Sequence, residues 1–282
     1  MTTGVTGTAN ISGYFNSILE DAVFVAREDS LMPALVTPYS GDGWADRKLS
    51  IYPQITAQTI GETEDLSTPT VFGKSSLATL TPTEIGAQTI MTDREMETDP
   101  QNARANAARE LGGAISDKIE TDLVTLFSSF SANAVGTAGS SFYLHQVASQ
   151  IAKLRNAKAR GPFNVVLHPY HWYDVWVEIG KPSTSVVASN AANAAMSDYF
   201  VANLVNATFY QHALIPVDAS DDAVSGVFNR EALALDTRRA PRLEPERDAS
   251  ARAWELNITA GYAKGVRRDA FGGKITADAT AP

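Results

Sequence analysis

The chain contains no cysteine. Disulfides and thiolate-bound metals are therefore excluded, and a reducing site of assembly is permitted. Histidine is scarce, at four among 282 residues. No stretch approaches the ~20 consecutive apolar residues of a membrane helix. The first residues, Met1-Thr-Thr-Gly-Val-Thr-Gly-Thr, lack the basic start and apolar run of a secretory leader, so a soluble protein is expected. Basic residues are outnumbered, 23 against 32 acidic, for a net charge of −9. No Lys/Arg cluster has the look of a phosphate-binding patch, so a direct grip on nucleic acid is not indicated. Walker, dinucleotide and Gly-x-Ser-x-Gly patterns are all missing, which leaves an enzyme reading without an anchor.

What is present suits a folded chain. Hydrophobic residues make up 44%, enough for a real core in two domain-lengths or one extended two-lobed fold. Residues 1–13 read as a flexible arm rich in Thr, Gly, Ser and Asn. Ile11 to Arg27 follows as an amphipathic helix, with Phe15, Ile18, Leu19, Ala22 and Val25 at three-and-four spacing. From Leu49 to Met91 the pattern turns to β, rich in Thr, Ile and Leu, and Pro53 and Pro82 favour edge strands. The simplest reading is a long β-hairpin with few core residues of its own, which needs a surface to lie on.

A long helix is the clearest element. Asp99-Pro100 supplies a start signal, and apolar residues recur at Ala103, Ala107, Leu111, Ile115, Ile119, Leu123, Leu126 and Phe130. A helix of ~30 residues and ~45 Å over Gln101 to Ser131 follows at 1.5 Å per residue, with Gly112-Gly113 as its weak point. Beyond it, the pattern predicts a helix over Phe142 to Ala157, a buried strand over Phe163 to Leu167, and a helix from His168-Pro169 through Ile179. A further helix over Ser197 to Val205 and strands at Ala213–Val217 and Ala223–Asn229 complete a compact α/β lobe. The C-terminal third reads as a short strand at Leu233–Asp236, a turn-rich excursion at Pro241–Asp248, a strand over Ala253 to Tyr262, and a last strand at Lys274–Thr276.

Each chemical candidate has a plainer competitor. His168 and His171 stand three apart, a chelating spacing on a helix, but only Asp174 is at hand as a third ligand. Asp42 and Asp46 lack the dense oxygen run and closing Glu of a calcium loop. Glu62, Glu64 and Asp65 could serve acid–base work, yet a polar turn favours solvated or cross-subunit salt-bridging roles. Tyr170, Trp172, Tyr173 and Trp176 could stack a base or sugar; at helical spacing, Trp172, Tyr173 and Trp176 are expected in the core. No cofactor, metal or catalytic residue is assigned.

The order of elements carries a resemblance: arm, two-stranded loop, long helix, compact α/β lobe, returning strands. Local wording agrees. Ala-Arg-Glu-Asp-Ser-Leu-Met-Pro looks like the end of an arm, and Leu-Gly-Gly-Ala-Ile-Ser-Asp-Lys-Ile-Glu like the start of a spine helix. Asn-Val-Val-Leu-His-Pro and Gly-Tyr-Ala-Lys-Gly-Val-Arg-Arg-Asp-Ala-Phe-Gly-Gly look like later strands. Together these resemble the major capsid protein of tailed bacteriophages, the Hong Kong phage type of fold, which encapsulin compartments share.

That resemblance implies an α+β phage capsid fold. Its parts would be an N-terminal arm at 1–43, a long β-hairpin extension loop at 44–92, a spine-helix peripheral domain at 93–134 and 230–282, and an α/β axial domain at 140–228. It implies no enzyme. The expected function is a structural protein that self-assembles as pentamers and hexamers into an icosahedral shell around double-stranded DNA, located in the virion and assembled in the host bacterial cytoplasm. Partners would be copies of itself, a separate scaffolding protein, a portal protein and decoration proteins, with no membrane and no sequence-specific contact to the packaged DNA. The expected contacts between subunits pair Glu62, Glu64 and Asp65 with Arg238, Arg239, Arg267 and Arg268. An encapsulin-like cargo compartment and a soluble α/β enzyme are the rival readings.

Overall fold

A computed structural model describes residues 30–52, 54–57, 59–60, 62, 71–98, 100–180, 203–204 and 207–280. The arm helix expected at Ile11 to Arg27 lies outside these residues.

The long helix forms where the four-residue spacing places it. After a short helix α2 (Asp93–Thr98), helix α3 runs over Pro100–Val124 and tightens into a 3₁₀ turn at Thr125–Ser129. It continues through Gly112-Gly113 because packing on one face offsets what two glycines cost. Ala107, Leu111 and Ile115 bury against Met91, Leu256 and Ile258. Further along, Leu123, Val124, Phe127 and Phe130 enter a second cluster with Met32, Leu35, Phe228, Leu233 and Tyr262. One helix thereby serves two parts of the core.

Two larger sheets flank it. The four-stranded sheet has the order β1 (Thr37–Ser40), β10 (Leu233–Asp248), β11 (Ala253–Val266), β4 (Thr83–Thr92). The six-stranded sheet has the order β5 (Ala134–Gly136), β12 (Gly272–Asp278), β9 (Asp222–Asn229), β6 (Phe163–Leu167), β8 (Ala207–Gln211), β7 (Asn203–Leu204). Helices α4 (Leu144–Asn156) and α5 (Pro169–Gly180) belong to this second lobe. Val147, Ile151, Leu154, Trp172 and Val175 pack there on Phe163, Val165, Phe209 and Ile275. A third, two-stranded sheet pairs β2 (Arg47–Ile51) with β3 (Ser75–Leu80).

The chain passes between the larger sheets three times: through α2 and α3 from β4 to β5, and by two short crossings, from β9 to β10 and from β11 to β12. The two short crossings lie side by side, because the amides of Arg267 and Arg268 both donate to the carbonyl of Ala232, at 2.7 and 3.1 Å.

Several expectations are corrected. The short strand at Leu233–Asp236 and its turn-rich excursion are one 16-residue strand. Strand β1 covers the outer edge of β10 only over Ala234–Thr237, while β11 pairs along its other side as far as Asp248. Pro241 and Pro245 therefore sit where β10 has no second neighbour, and an edge tolerates a residue with no N–H to give. The strand expected at Ala213–Val217 is instead Ala207–Gln211, followed by a turn. Asn203–Leu204, placed in a helix by the sequence reading, pair as a strand with β8; residues 197–202 and 205 lie outside the described residues. Within the expected hairpin, β4 pairs with β11 and not with β2 or β3, so the paired hairpin is β2–β3 alone.

Candidate inter-subunit surface

The β2–β3 hairpin is rooted firmly and bare beyond its root. At the root, Leu49 and Leu80 pack on Ala234 and Ala263 of the large sheet. Arg47 Nε donates to Asp236 Oδ2 at 2.7 Å, and Arg238 Nη2 reaches the same oxygen at 2.9 Å. Asp236 has no exposed side-chain surface and Arg238 only 7%. The paired charge on Asp236 holds the Arg47 guanidinium above its ordinary pKa, chiefly through that hydrogen bond. Farther out, Lys158 Nζ donates to Gln54 Oε1 at 3.1 Å, which ties the hairpin to the turn after α4.

Past the root the hairpin carries apolar side chains without a cover. Tyr52, Ile55, Ile60, Val71 and Phe72 are between 49% and 87% exposed. Tyr52 and Phe72 stack on each other, with centroids 4.8 Å apart and planes 8° apart, and Lys74 Nζ sits 5.7 Å from the Tyr52 ring. Each large apolar side chain gains roughly 1.5–3 kcal/mol on full burial. Five such residues within one stretch, two of them stacked, favour a covering surface more than the scattered apolar residues normal on a monomer do.

The structure sorts the expected contact residues. Glu62 is exposed in a turn, whereas Glu64 and Asp65 lie outside the described residues. Arg238 is taken up by Asp236 and by the carbonyls of Asp42 and Gly43. Arg239 pairs with Glu84 at 2.9 Å and lies over the Trp44 ring. Arg267 and Arg268 come together on a single carboxylate, Glu231, at 3.8 and 3.4 Å. Arg268 also lines a shallow polar cleft with Lys158, Arg160, Asn229, Glu231 and Phe271. Among the described residues, none of these arginines pairs with Glu62.

The histidine pair is built into the core. His171 Nδ1 lies 2.7 Å from Ser225 Oγ and Nε2 3.2 Å from the Ala277 carbonyl oxygen, so both ring nitrogens have protein partners. His168 Nδ1 accepts from the Tyr170 amide, and Asp174 accepts from that of Phe142. Burial pushes the His171 pKa down to about 4 from an ordinary 6.5. A buried histidine held neutral contributes stability that is complete above its unfolded value and lost as pH falls through the folded one. We expect the unfolding free energy to drop by on the order of 3 kcal/mol between pH 6.5 and 4 from this group. His171→Gln should flatten that window in urea titrations at several pH values; an unchanged slope would contradict the assignment. Of the aromatics expected in the core, Trp172 is there, edge-on to Phe209, while Tyr173 is exposed.

Glu120 is a buried carboxylate for which the sequence pattern carries no signal. Glu120, 3% exposed, lies one residue beyond Ile119 in the apolar series of α3 and binds Ser30, Leu31, Met32 and His212. A glutamate beside a helical stripe reads as solvated, and its partners are ~90 residues away in either direction, so periodicity offers no signal for it.

The sequence matches no protein-family model and no curated protein. The three-dimensional arrangement does match solved structures. The structure of Mycobacterium phage Che8 superposes with a TM-score of 0.70 at 14% identity, over 88% of this chain and 91% of that one. The capsid structure of the cyanophage P-SCSP1u does so with 0.70 at 10% identity, over 88% of each. The fold is that of a phage capsid subunit. A virus-like particle from Pyrococcus furiosus is also similar, with a TM-score of 0.58 at 10% identity over 94% of this chain and 99% of that one. Agreement over nearly whole chains at such low identity means that element order and packing are shared while side chains are not. The α+β capsid fold expected from the order of elements is the one observed.

Proposed function

We propose that this chain is the structural subunit of an icosahedral shell, assembling as pentamers and hexamers around phage double-stranded DNA. The observation that carries the reading is the bare apolar hairpin on a subunit with the capsid fold. A stacked Tyr52–Phe72 pair and its apolar neighbours belong under another surface, and in a closed shell that surface is a second copy of the chain. In this reading residues 1–43 are the arm, 44–92 the extension loop, 93–134 with 230–282 the peripheral domain, and 140–228 the axial domain. The partners are further copies, a separate scaffolding protein and a portal protein, with assembly in the host cytoplasm and the virion as destination. Glu62, Glu64 and Asp65 meet basic groups of a neighbour. Arg267 and Arg268, sharing one carboxylate between two cations, are better placed for this than the nearly buried Arg238. Such pairs set register more than they add affinity.

The test is a Tyr52→Ser, Ile55→Ser, Phe72→Ser triple variant. Exposed positions of this kind change subunit stability by only about 0.5 kcal/mol each, so the variant should fold and melt much as the parent does. It should nevertheless yield few or no closed particles by negative-stain microscopy under conditions where the parent assembles. Normal particle yield would reject the hairpin's role. Double-stranded DNA inside parental particles supports the phage reading; a packaged protein cargo in its place would overturn it.

A further inference from the structure

Glu120 on α3 gathers two distant parts of the chain, residues 30–32 and His212, on one carboxylate. Oε1 accepts from Ser30 Oγ at 2.8 Å, the Leu31 amide at 2.9 Å and the Met32 amide at 3.1 Å. Oε2 accepts from the Met32 amide at 3.1 Å and lies 2.8 Å from His212 Nε2. The two amides stand at the start of α1 (Met32–Leu35), whose preceding residue Leu31 has no side-chain cap of its own; a carboxylate from α3 supplies what a local Ser or Asp usually does. On the far side, the His212 ring is fixed from behind. Its Nδ1 accepts from the Leu214 amide at 3.2 Å, which leaves the hydrogen on Nε2, directed at Glu120. His212 itself follows β8, its amide bonded to the Leu167 carbonyl of the six-stranded sheet.

We propose that Glu120 is a positioning residue that latches the Ser30–Met32 segment to the core, and that His212 holds the latch closed from the six-stranded sheet. The segment leads into α1, so the latch fixes the start of that helix on α3. The two sides share Oε2. Removing the His212 donor lets the buried carboxylate turn or take up a proton, and either event weakens its hold on amides that His212 does not itself bind.

The electrostatics agree with the geometry. Burial alone would raise the Glu120 pKa, but the His212, Ser30 and Met32 bonds outweigh it, and the group sits below its ordinary value. Among the described residues, the other charged or titratable groups on the neighbouring elements have partners of their own. Asp122 on the same helix bonds Lys118, Lys264 and Tyr262, Arg230 Nε donates to the Val36 carbonyl, and Tyr210 packs at the edge of the same apolar cluster. The latch is therefore closed above the ordinary carboxylate range and opens as pH falls through the lowered folded value.

Amide hydrogen exchange on the unassembled subunit tests this without reference to any shell, so its outcome is separable from that of the assembly experiment. In His212→Ala, exchange at Leu31 and Met32 should accelerate roughly 10- to 100-fold, the loss expected for a charge-assisted hydrogen bond. The pH at which these two amides lose protection should rise relative to the parent, an effect that mere loss of packing would not produce. His212→Gln, which keeps an N–H donor, should restore most of the protection. The Ile258 amide in β11 serves as the control for global opening. Unchanged exchange at Leu31 and Met32 in His212→Ala would overturn the proposal, as would an equal acceleration at Ile258.

Discussion

Asp236→Ala is expected to cost the subunit about 3–5 kcal/mol of stability, the range for removing one partner of a buried ion pair. The carboxylate has no exposed surface and its Oδ2 serves two guanidinium groups at once. Without it, Arg238 keeps its charge in a site only 7% exposed. Arg47, 29% exposed, can turn partly toward water, so its share of the loss is smaller and falls on the hairpin. Arg47→Ala should therefore cost less than Asp236→Ala and loosen β2–β3 selectively. Asp236→Asn keeps the shape and one acceptor oxygen but drops the charge, and should fall between the parent and the alanine variant. Urea unfolding of the four proteins checks the order. If Asp236→Ala fell within ~0.5 kcal/mol of the parent, the pair would contribute nothing to the fold.

Gly272→Ala should be nearly as damaging for a different reason. The backbone there has φ −123°, an ordinary extended conformation, so any residue could adopt it. The obstacle is space. An added Cβ would lie 2.6 Å from Phe130 Cδ1 and closer still to Cε1 and Cζ, and that ring is fully buried against the second half of the core. Phe127 stacks beside it at 6.5 Å and in turn fills the space over Gly226, so the ring has little freedom to withdraw. Overpacking of this kind costs about 1–3 kcal/mol or more. Phe130→Leu in the Gly272→Ala background should recover part of the loss, and a double-mutant cycle would show strong coupling between the two sites. Strict additivity would mean that the ring is not what the methyl meets.

These two sites mark where sequence reasoning works and where it stops. The four-residue recurrence from Ala103 to Phe130 located the long helix because burial on one face is a local, periodic constraint. Phe163–Leu167 was equally legible, being a short apolar run closed by Gly161-Pro162 on one side and His168-Pro169 on the other. Pro241 and Pro245 are turn signals in isolation, and only the missing neighbour on the outer edge of β10 makes them acceptable inside a strand. Strand β8 was displaced toward Ala213–Val217 because Ala-Leu-Ile-Pro-Val is the more apolar run, while pairing with β6 selects Ala-Thr-Phe-Tyr-Gln. From Leu49 to Met91 the sequence predicts a hairpin with few core residues; the pairing is narrower, β2 with β3 alone, and the exposed Tyr52 and Phe72 of that stretch carry no signal in the pattern. Asp236 and Glu120 were invisible for one shared reason. An acidic residue inside a strand or on a helix looks like surface until a partner ~90 residues away (Ser30 and His212 for Glu120) or ~190 residues away (Arg47 for Asp236, beside its strand neighbour Arg238) is folded against it.

The two short crossings between the large sheets have a mechanical meaning. A single linker would let one lobe swivel against the other. Here a pair of short links, cross-bonded through the Ala232 carbonyl, runs beside a cluster in which Phe228 of one sheet meets Leu233 and Tyr262 of the other. Torsion would shear both links, and bending would pull that cluster open. A load applied at the hairpin is therefore expected to reach the far lobe through both links and that cluster; in the proposed shell, a change in curvature would fall at the seams between subunits.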